Sequence, residues 1–179
     1  MPVAVVTGSN KGIGFGIVRA LCKQFSGDVY LTSRDEGRGL AAVAELNKEG
    51  LQPKFHVLDI GNEDTVTKFR DFMKEKHGGI DVLVNNAGYL AKESFRELSM
   101  ESIDESMAVN LKSAVRLGQA SLPHLQRSDG GNIVNVSSIA GLRAWPGALA
   151  YKMSKAAMDQ MTRCVALEVN TRESGDFSF

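Results

Sequence analysis

Cysteine is scarce in this chain. With only Cys22 and Cys164 among 179 residues, there is neither a disulfide framework nor the ligand set of a four-coordinate metal site. Both cysteines sit in helix-periodic stretches and read as small core hydrophobes. Net charge is lacking as well. The 21 basic and 21 acidic side chains cancel, so no global field draws the chain to nucleic acid or to an anionic membrane, and an anionic ligand must be held by local groups. No apolar run reaches the length of a membrane span, and the start Met1-Pro2-Val3-Ala4-Val5-Val6-Thr7 carries neither a basic leader nor a cleavage site; a cytoplasmic protein is the expectation. His56, His77 and His124 have no ligand spacing and read as structural or surface residues. Repeats, low-complexity tracts and linkers are also missing, and a hydrophobic content of 43% over this length suits one domain covering residues 1–179.

What is present is an alternation. Short β-branched runs at residues 3–6, 28–32, 54–58, 80–84 and 132–136 are separated by longer stretches of helical period. That pattern predicts a Rossmann-type, doubly wound α/β fold with a parallel sheet. The first helix spans residues 12–25 with Ile13, Ile17, Val18, Leu21 and Cys22 along one face. The second spans 36–49 and closes at Gly50; the third runs from an Asn62 cap to about 76, where Gly78-Gly79 stops it. One long helix is expected from Ser99 to about 126, its set Ile103, Met107, Val109, Leu111, Val115 and Leu117 generous enough to bury more than one face. Asp129-Gly130-Gly131 turns the chain into the fifth strand, and a last helix covers about 150–169.

In an open parallel sheet, ligands bind at the carboxyl ends of the strands, where loops and helix N-termini converge. Chemistry-bearing residues follow all five strands here. After the first comes Thr7-Gly8-Ser9-Asn10-Lys11-Gly12-Ile13-Gly14. Its glycines permit a tight turn and let a pyrophosphate approach the backbone, although a turn without a ligand has the same needs. After the second strand, where an NAD-selective fold places an acid on the ribose, stands Ser33-Arg34. Arg34 with Lys11 suits the 2′-phosphate of NADPH or NADP+; the alternative is that both are solvated and Asp35 reads the ribose of NAD. Asp59 and Ile60 follow the third strand, placed to bond an adenine amino group and cover its ring, with helix capping as the other use of Asp59. Asn85-Asn86-Ala87-Gly88 follows the fourth, where small residues let backbone pass close to a cofactor or simply form a turn.

The fifth strand ends in Ser137-Ser138, and Tyr151 and Lys155 lie farther on, four residues apart on one helix face. A phenol with a pKa of about 10 is a poor base at neutral pH, but a neighbouring ammonium favours the phenolate. With a serine hydroxyl to hold a substrate oxygen, the three make an acid/base device for interconverting carbonyl and alcohol. A Tyr-x-x-x-Lys pair alone is common on exposed helices; the conjunction with the other motifs is what gives it weight.

Thr7-Gly8-x-x-x-Gly12-x-Gly14, Asn85-Asn86-Ala87-Gly88, Asn110, Ser138 and Tyr151-x-x-x-Lys155 stand in the order and spacing of the short-chain dehydrogenase/reductase family, which the chain resembles from Val3 to about Val169. The resemblance implies Tyr151 as general acid/base, Lys155 on the nicotinamide ribose, Ser138 orienting the substrate oxygen and Asn110 supporting a proton-relay water. It also implies that Gly8, Asn10, Lys11, Gly12, Ile13, Gly14, Arg34, Asp59, Ile60, Asn86, Ala87 and Gly88 hold the cofactor. Residues 5–12 and 31–35 resemble the NADPH-dependent carbonyl reductases of that family, which implies reduction of a small ketone, aldehyde or quinone. Ile139, Leu142, Trp145, Tyr89 and Leu90 are expected on the substrate side, with plain core or interface as the other reading of Trp145.

Members of the family continue past the catalytic helix into a sixth strand, a capping loop and a seventh strand. Against that pattern the expectation is a shortened fold lacking strands six and seven. The fifth strand then lies at an edge, inviting self-association into a homo-oligomer and weakening turnover. Two alternatives to a working reductase follow. One is a non-catalytic dinucleotide-binding or association module, with contact faces near Ser113 and Met158, where family subunits often pair. The other is an NAD-dependent alcohol dehydrogenase.

Overall fold

A computed structural model describes residues 1–125 and 131–170. The turn expected at Asp129-Gly130 and the polar tail 171–179 lie outside the described residues. Five strands, β1 (Val3–Val6), β2 (Asp28–Ser33), β3 (Lys54–Val57), β4 (Val82–Asn85) and β5 (Asn132–Asn135), form one sheet in the order β3-β2-β1-β4-β5. Every pairing is parallel, so every connection crosses from one end of the sheet to the other, and helices make the crossings. These are α1 (Gly12–Gln24), α2 (Glu36–Lys48), α3 (Glu63–His77), a pair α4 (Met100–Met107) and α5 (Ser113–Leu125), and α6 (Leu149–Asn170). The expected doubly wound architecture is observed, with β5 at one edge of the sheet.

The central strand explains its own composition. All four residues of β1 are fully buried, because it is paired on both sides and covered on both faces, so it reads as an unbroken apolar run. Its side chains alternate between two cores. Val3 and Val5 join Tyr30, Phe69, Met73, Leu83 and Leu117 on the face covered by α3 and α5. Val6 joins Val18, Leu31, Ala42, Leu46 and Val84 on the face covered by α1 and α2.

Local signals set the helix ends. Asn62 accepts from the Asp64 amide at 3.0 Å, Asp35 from the Arg38 amide at 2.8 Å and Ser99 from the Ser102 amide at 3.1 Å. Each satisfies an amide that the first helical turn leaves unpaired. Gly78, at φ 77°, ends α3 in the left-handed conformation that glycine adopts without strain.

The structure corrects four expectations. The long helix is interrupted: a π-helical turn over Ala108–Lys112 separates α4 from α5. Its buried residues are mixed rather than the apolar set, with Ser102, Ser106, Asn110, Ser113 and Ser121 inside beside Ala114, Leu117 and Leu125; of the six expected apolar residues only Leu117 is fully buried, and Val109 packs half-buried against the core. Ile13, assigned to the core face of α1, is 70% exposed and turns into the crevice described below. Of the two cysteines only Cys22 packs against a core, half-buried among the residues beside Val18; Cys164 is exposed rather than a core residue.

Candidate active site

The carboxyl ends of the strands border one crevice of about 560 Å³. Following the sheet, β3 contributes Asp59 and Ile60, β2 Ser33 and Arg34, β1 the loop Gly8, Asn10, Lys11, Gly12 and Ile13, β4 Asn86 to Leu90, and β5 Val136 and Ser137; Tyr151 and Lys155 close it from α6. The five strand-end groups found in the sequence thus meet in one place, as the parallel topology requires.

Two ties hold the loops after β1 and β4 together. The Thr7 hydroxyl accepts from the amides of Asn86 and Ala87, each at 3.0 Å, and the Asn86 carboxamide donates to the carbonyls of Thr7 at 2.9 Å and Gly8 at 3.1 Å. Asn86 therefore acts as a brace between loops, the turn-forming use considered for it in the sequence. The packing is tight enough to dictate glycine. A Cβ on Gly14 would collide with the Asn86 amide nitrogen and lie 2.8 Å from Ser9 Cα. At Gly12 the reason differs: its φ is +61° and nothing lies within 4 Å of the position a Cβ would take, so backbone faces open crevice there.

At the β2 side the crevice carries two exposed cations, Lys11 and Arg34, and neither has an ion-pair partner among the described residues. Asp35, beside them, is committed elsewhere: its carboxylate caps α2 and faces Arg38 at 3.5 Å. Asp59 does not cap α3, a role taken by Asn62; it accepts from the Gly61 amide at 3.0 Å.

At the α6 side, Lys155 is 3% exposed and donates to the Val136 carbonyl at 2.8 Å. Its ammonium lies 5.8 Å from the centre of the Tyr151 ring, the proximity expected of residues one helical turn apart. Burial pushes its pKa below that of an ordinary lysine, and Asp159 opposes the shift in part. Asn110, fully buried in the π-helical turn, spends its side chain on structure. Its oxygen accepts from the Tyr89 amide at 2.7 Å, and its nitrogen donates to the Tyr89 carbonyl at 2.9 Å and to Ser154 Oγ at 2.8 Å. Ser154 donates onward to the Tyr151 carbonyl at 2.7 Å. Asn110 thus fastens the Tyr89 wall to the helix that carries Tyr151, and a π-turn at such a junction is common near functional sites.

Ser138 sits one step aside. Its Oγ accepts from the Ala140 amide at 3.1 Å, and with Ile139 and Leu142 it lines a neighbouring hollow that shares Ser137 with the crevice. Trp145 borders neither space; it is 47% exposed and held by Lys152. Tyr89 and Leu90 line the crevice as expected. Ser154 and Glu105, which also borders the crevice, were not picked out from the sequence, and Thr7 was read there only as part of the glycine motif, not as the tie between two loops. A threonine closing a strand and a serine three residues after the tyrosine carry no signal until the loops are seen to meet.

This fold and this set of strand-end residues are those of the dinucleotide fold in its short-chain form. The model of the short chain dehydrogenase family matches residues 2–173, and the chain belongs to that family. Among its relatives, carbonyl reductase [NADPH] 3 of Rattus norvegicus is 49% identical over 145 residues, covering 79% of this chain and 50% of the relative. Carbonyl reductase [NADPH] 1 of Homo sapiens is 46% identical over 142 residues, again covering 79% of this chain and 50% of the relative. The chain spans about half the length of these relatives. Among solved structures, an alcohol dehydrogenase of the archaeon Thermococcus sibiricus in complex with 5-hydroxy-NADP superposes with a TM-score of 0.86 at 33% identity, over 95% of this chain and 72% of that one. A metagenomic short-chain oxidoreductase in complex with NADP gives 0.86 at 34% identity, over 95% and 77%.

Proposed function

We propose that this chain carries the cofactor-binding and acid/base portion of an NADPH-dependent carbonyl reductase acting on a small ketone, aldehyde or quinone. The observation that carries the reading is the meeting, in one crevice, of two unpaired cations at one side and the Tyr151–Lys155 pair at the other. The residues suit NADPH. Lys11 and Arg34 can share a doubly charged 2′-phosphate, the open backbone at Gly12 leaves room for a pyrophosphate at the start of α1, and Ile60, which borders the crevice, can lie against the adenine. Asp35, held at the N-terminus of α2, is poorly placed to read the 2′-hydroxyl of NAD, which weighs against an NAD-dependent alcohol dehydrogenase.

Bound NADPH supplies the hydride. The protein's share is the proton and the geometry. Tyr151 donates its hydroxyl proton to the carbonyl oxygen as negative charge grows there. Lys155, with N–H groups directed at the Val136 carbonyl and at Met158 Sδ, 3.8 Å away, keeps one for a ribose hydroxyl, and its positive charge stabilises the phenolate left behind. Ser138 orients the substrate oxygen, which requires its hydroxyl to donate toward the crevice while its oxygen still accepts from Ala140. Asn110 positions these groups by tying Tyr89 to Ser154.

The test is NADPH oxidation by the purified chain against a panel of quinones and aromatic carbonyls. Tyr151→Phe should lower kcat by about 100-fold or more while NADPH binding stays within about two-fold, since it removes a general acid and little else. Equal turnover by the variant would sink the assignment of Tyr151.

A further inference from the structure

Residues 142–147, between the turn after β5 and the start of α6, are all exposed, yet the segment is fastened at two points. The first is Ala148. Its φ of 55° places a side-chain-bearing residue in the left-handed region, and its amide is held by the Glu93 carbonyl at 3.0 Å. Glu93 is itself fixed, its carboxylate accepting from Ser102 Oγ at 2.6 Å. The second point is Lys152, which follows Tyr151 directly. It is 8% exposed, its ammonium donates to the Trp145 carbonyl, and that ammonium lies 4.2 Å from the centre of the Trp145 ring.

An ammonium that deeply placed is costly unless its protons and charge find partners. No carboxylate pairs with Lys152 among the described residues, so the carbonyl and the indole face provide the compensation. The segment runs from Leu142, beside Ser138, to Ala148, beside Glu93, and so bridges two walls: the Ser137–Ser138 wall, and the one that continues from Tyr89 and Leu90.

We propose that Lys152 is a positioning residue that latches residues 142–147 onto α6 through Trp145, and that this latch limits how bulky a carbonyl compound can reach Tyr151. The latch stands on geometry alone; its effect on substrate choice rests on the function proposed above.

Trp145 is the sole tryptophan of the chain, so its fluorescence reads the latch without any need for turnover. In the purified chain, Lys152→Met keeps the apolar stem and removes the ammonium, while Lys152→Arg keeps a cation that can reach both partners. Acrylamide quenching of Trp145 should rise about two-fold in the methionine variant as the segment opens locally, and return to near the parent value in the arginine variant. Circular dichroism confirms that both variants are folded. Unchanged quenching in a folded methionine variant overturns the latch. In turnover, the ratio of kcat/KM for a bulky aromatic ketone to that for a small aldehyde should rise about ten-fold in the methionine variant, through KM rather than kcat, and fall back with arginine. Raised quenching with an unchanged ratio overturns the substrate half alone. Absence of turnover in the parent chain, by contrast, fails the proposed function and with it the substrate half, and the quenching result still decides the latch.

Discussion

Arg34 shows how much a single exposed side chain can decide. It lies on the crevice with no anionic partner among the described residues, whereas Asp35 beside it is tied to the Arg38 amide. The neighbouring residues are therefore differently placed, one facing the crevice and one capping a helix, although in sequence either could have been the selector. A charge-assisted contact to a phosphate contributes roughly 1.5–3 kcal/mol, so Arg34→Ala should weaken NADPH binding by about 10- to 100-fold. NADH binding should change by less than about three-fold, since NADH presents no 2′-phosphate for the arginine to meet. Titration of both cofactors against cofactor fluorescence separates the outcomes; equal weakening would mean that Arg34 shapes the pocket rather than reading the phosphate. Lys11 shares the load, so the alanine variant should retain a residual preference for NADPH.

At the scale of elements, what was legible depended on whether a local rule or a distant partner set the feature. The cap Asn62, the helix start at Ser99 and the stop at Gly78 were readable because each is set within one helical turn. The five strand-end groups were readable because parallel topology alone brings them together. The π-helical turn at Ala108–Lys112 was not, because apolar residues are frequent enough on both sides of it to carry a helical period straight through. The serines buried on either side of it, Ser102, Ser106, Ser113 and Ser121, were equally hidden, since small polar residues look like a solvent face until another helix packs on them. The glycine loop lies between these cases. Its motif was visible, but which glycine serves packing and which faces open crevice emerged only from the Asn86 brace. A paired substitution on α1 tests that distinction. Gly14→Ala forces a Cβ into Asn86 and Ser9 and should destabilise the fold by about 1–3 kcal/mol. Gly16→Ala, on an exposed site with nothing within 4 Å of the new Cβ, should stabilise it by about 0.5–1 kcal/mol through helix propensity. Denaturant melts of the two variants should move in opposite directions.

For the molecule as a whole, the sheet separates two kinds of ionisable group. The crevice end holds Lys155 and Tyr151, while the opposite end holds a structural cluster around the start of β2. There His77 Nε2 and the Tyr30 hydroxyl share a hydrogen bond of 2.8 Å, and His77 Nδ1 lies 3.8 Å from the Asp28 carboxylate. Burial pushes the Tyr30 hydroxyl up to about 12, with the charge of Asp28 adding to it, so Tyr30 stays protonated and can donate to a neutral imidazole. Burial is also the larger influence on His77 and holds its pKa below the ordinary histidine value, outweighing the attraction of Asp28, while Lys54 and Lys76 push the same way as burial. The folded protein therefore binds fewer protons at this site than the unfolded chain does, in the window between the lowered folded value and the unfolded value of about 6.5. Stability must rise with pH across that window. The contribution is fully present above about pH 6.5 and is lost as pH falls through the lowered folded value. The thermal midpoint should accordingly drop between about pH 7.5 and pH 5.5. His77→Gln, which cannot titrate, should show a smaller drop over the same interval, even if its midpoint at neutral pH is lower from the disturbed bond to Tyr30. Parallel pH profiles for the two proteins would place the acid sensitivity elsewhere.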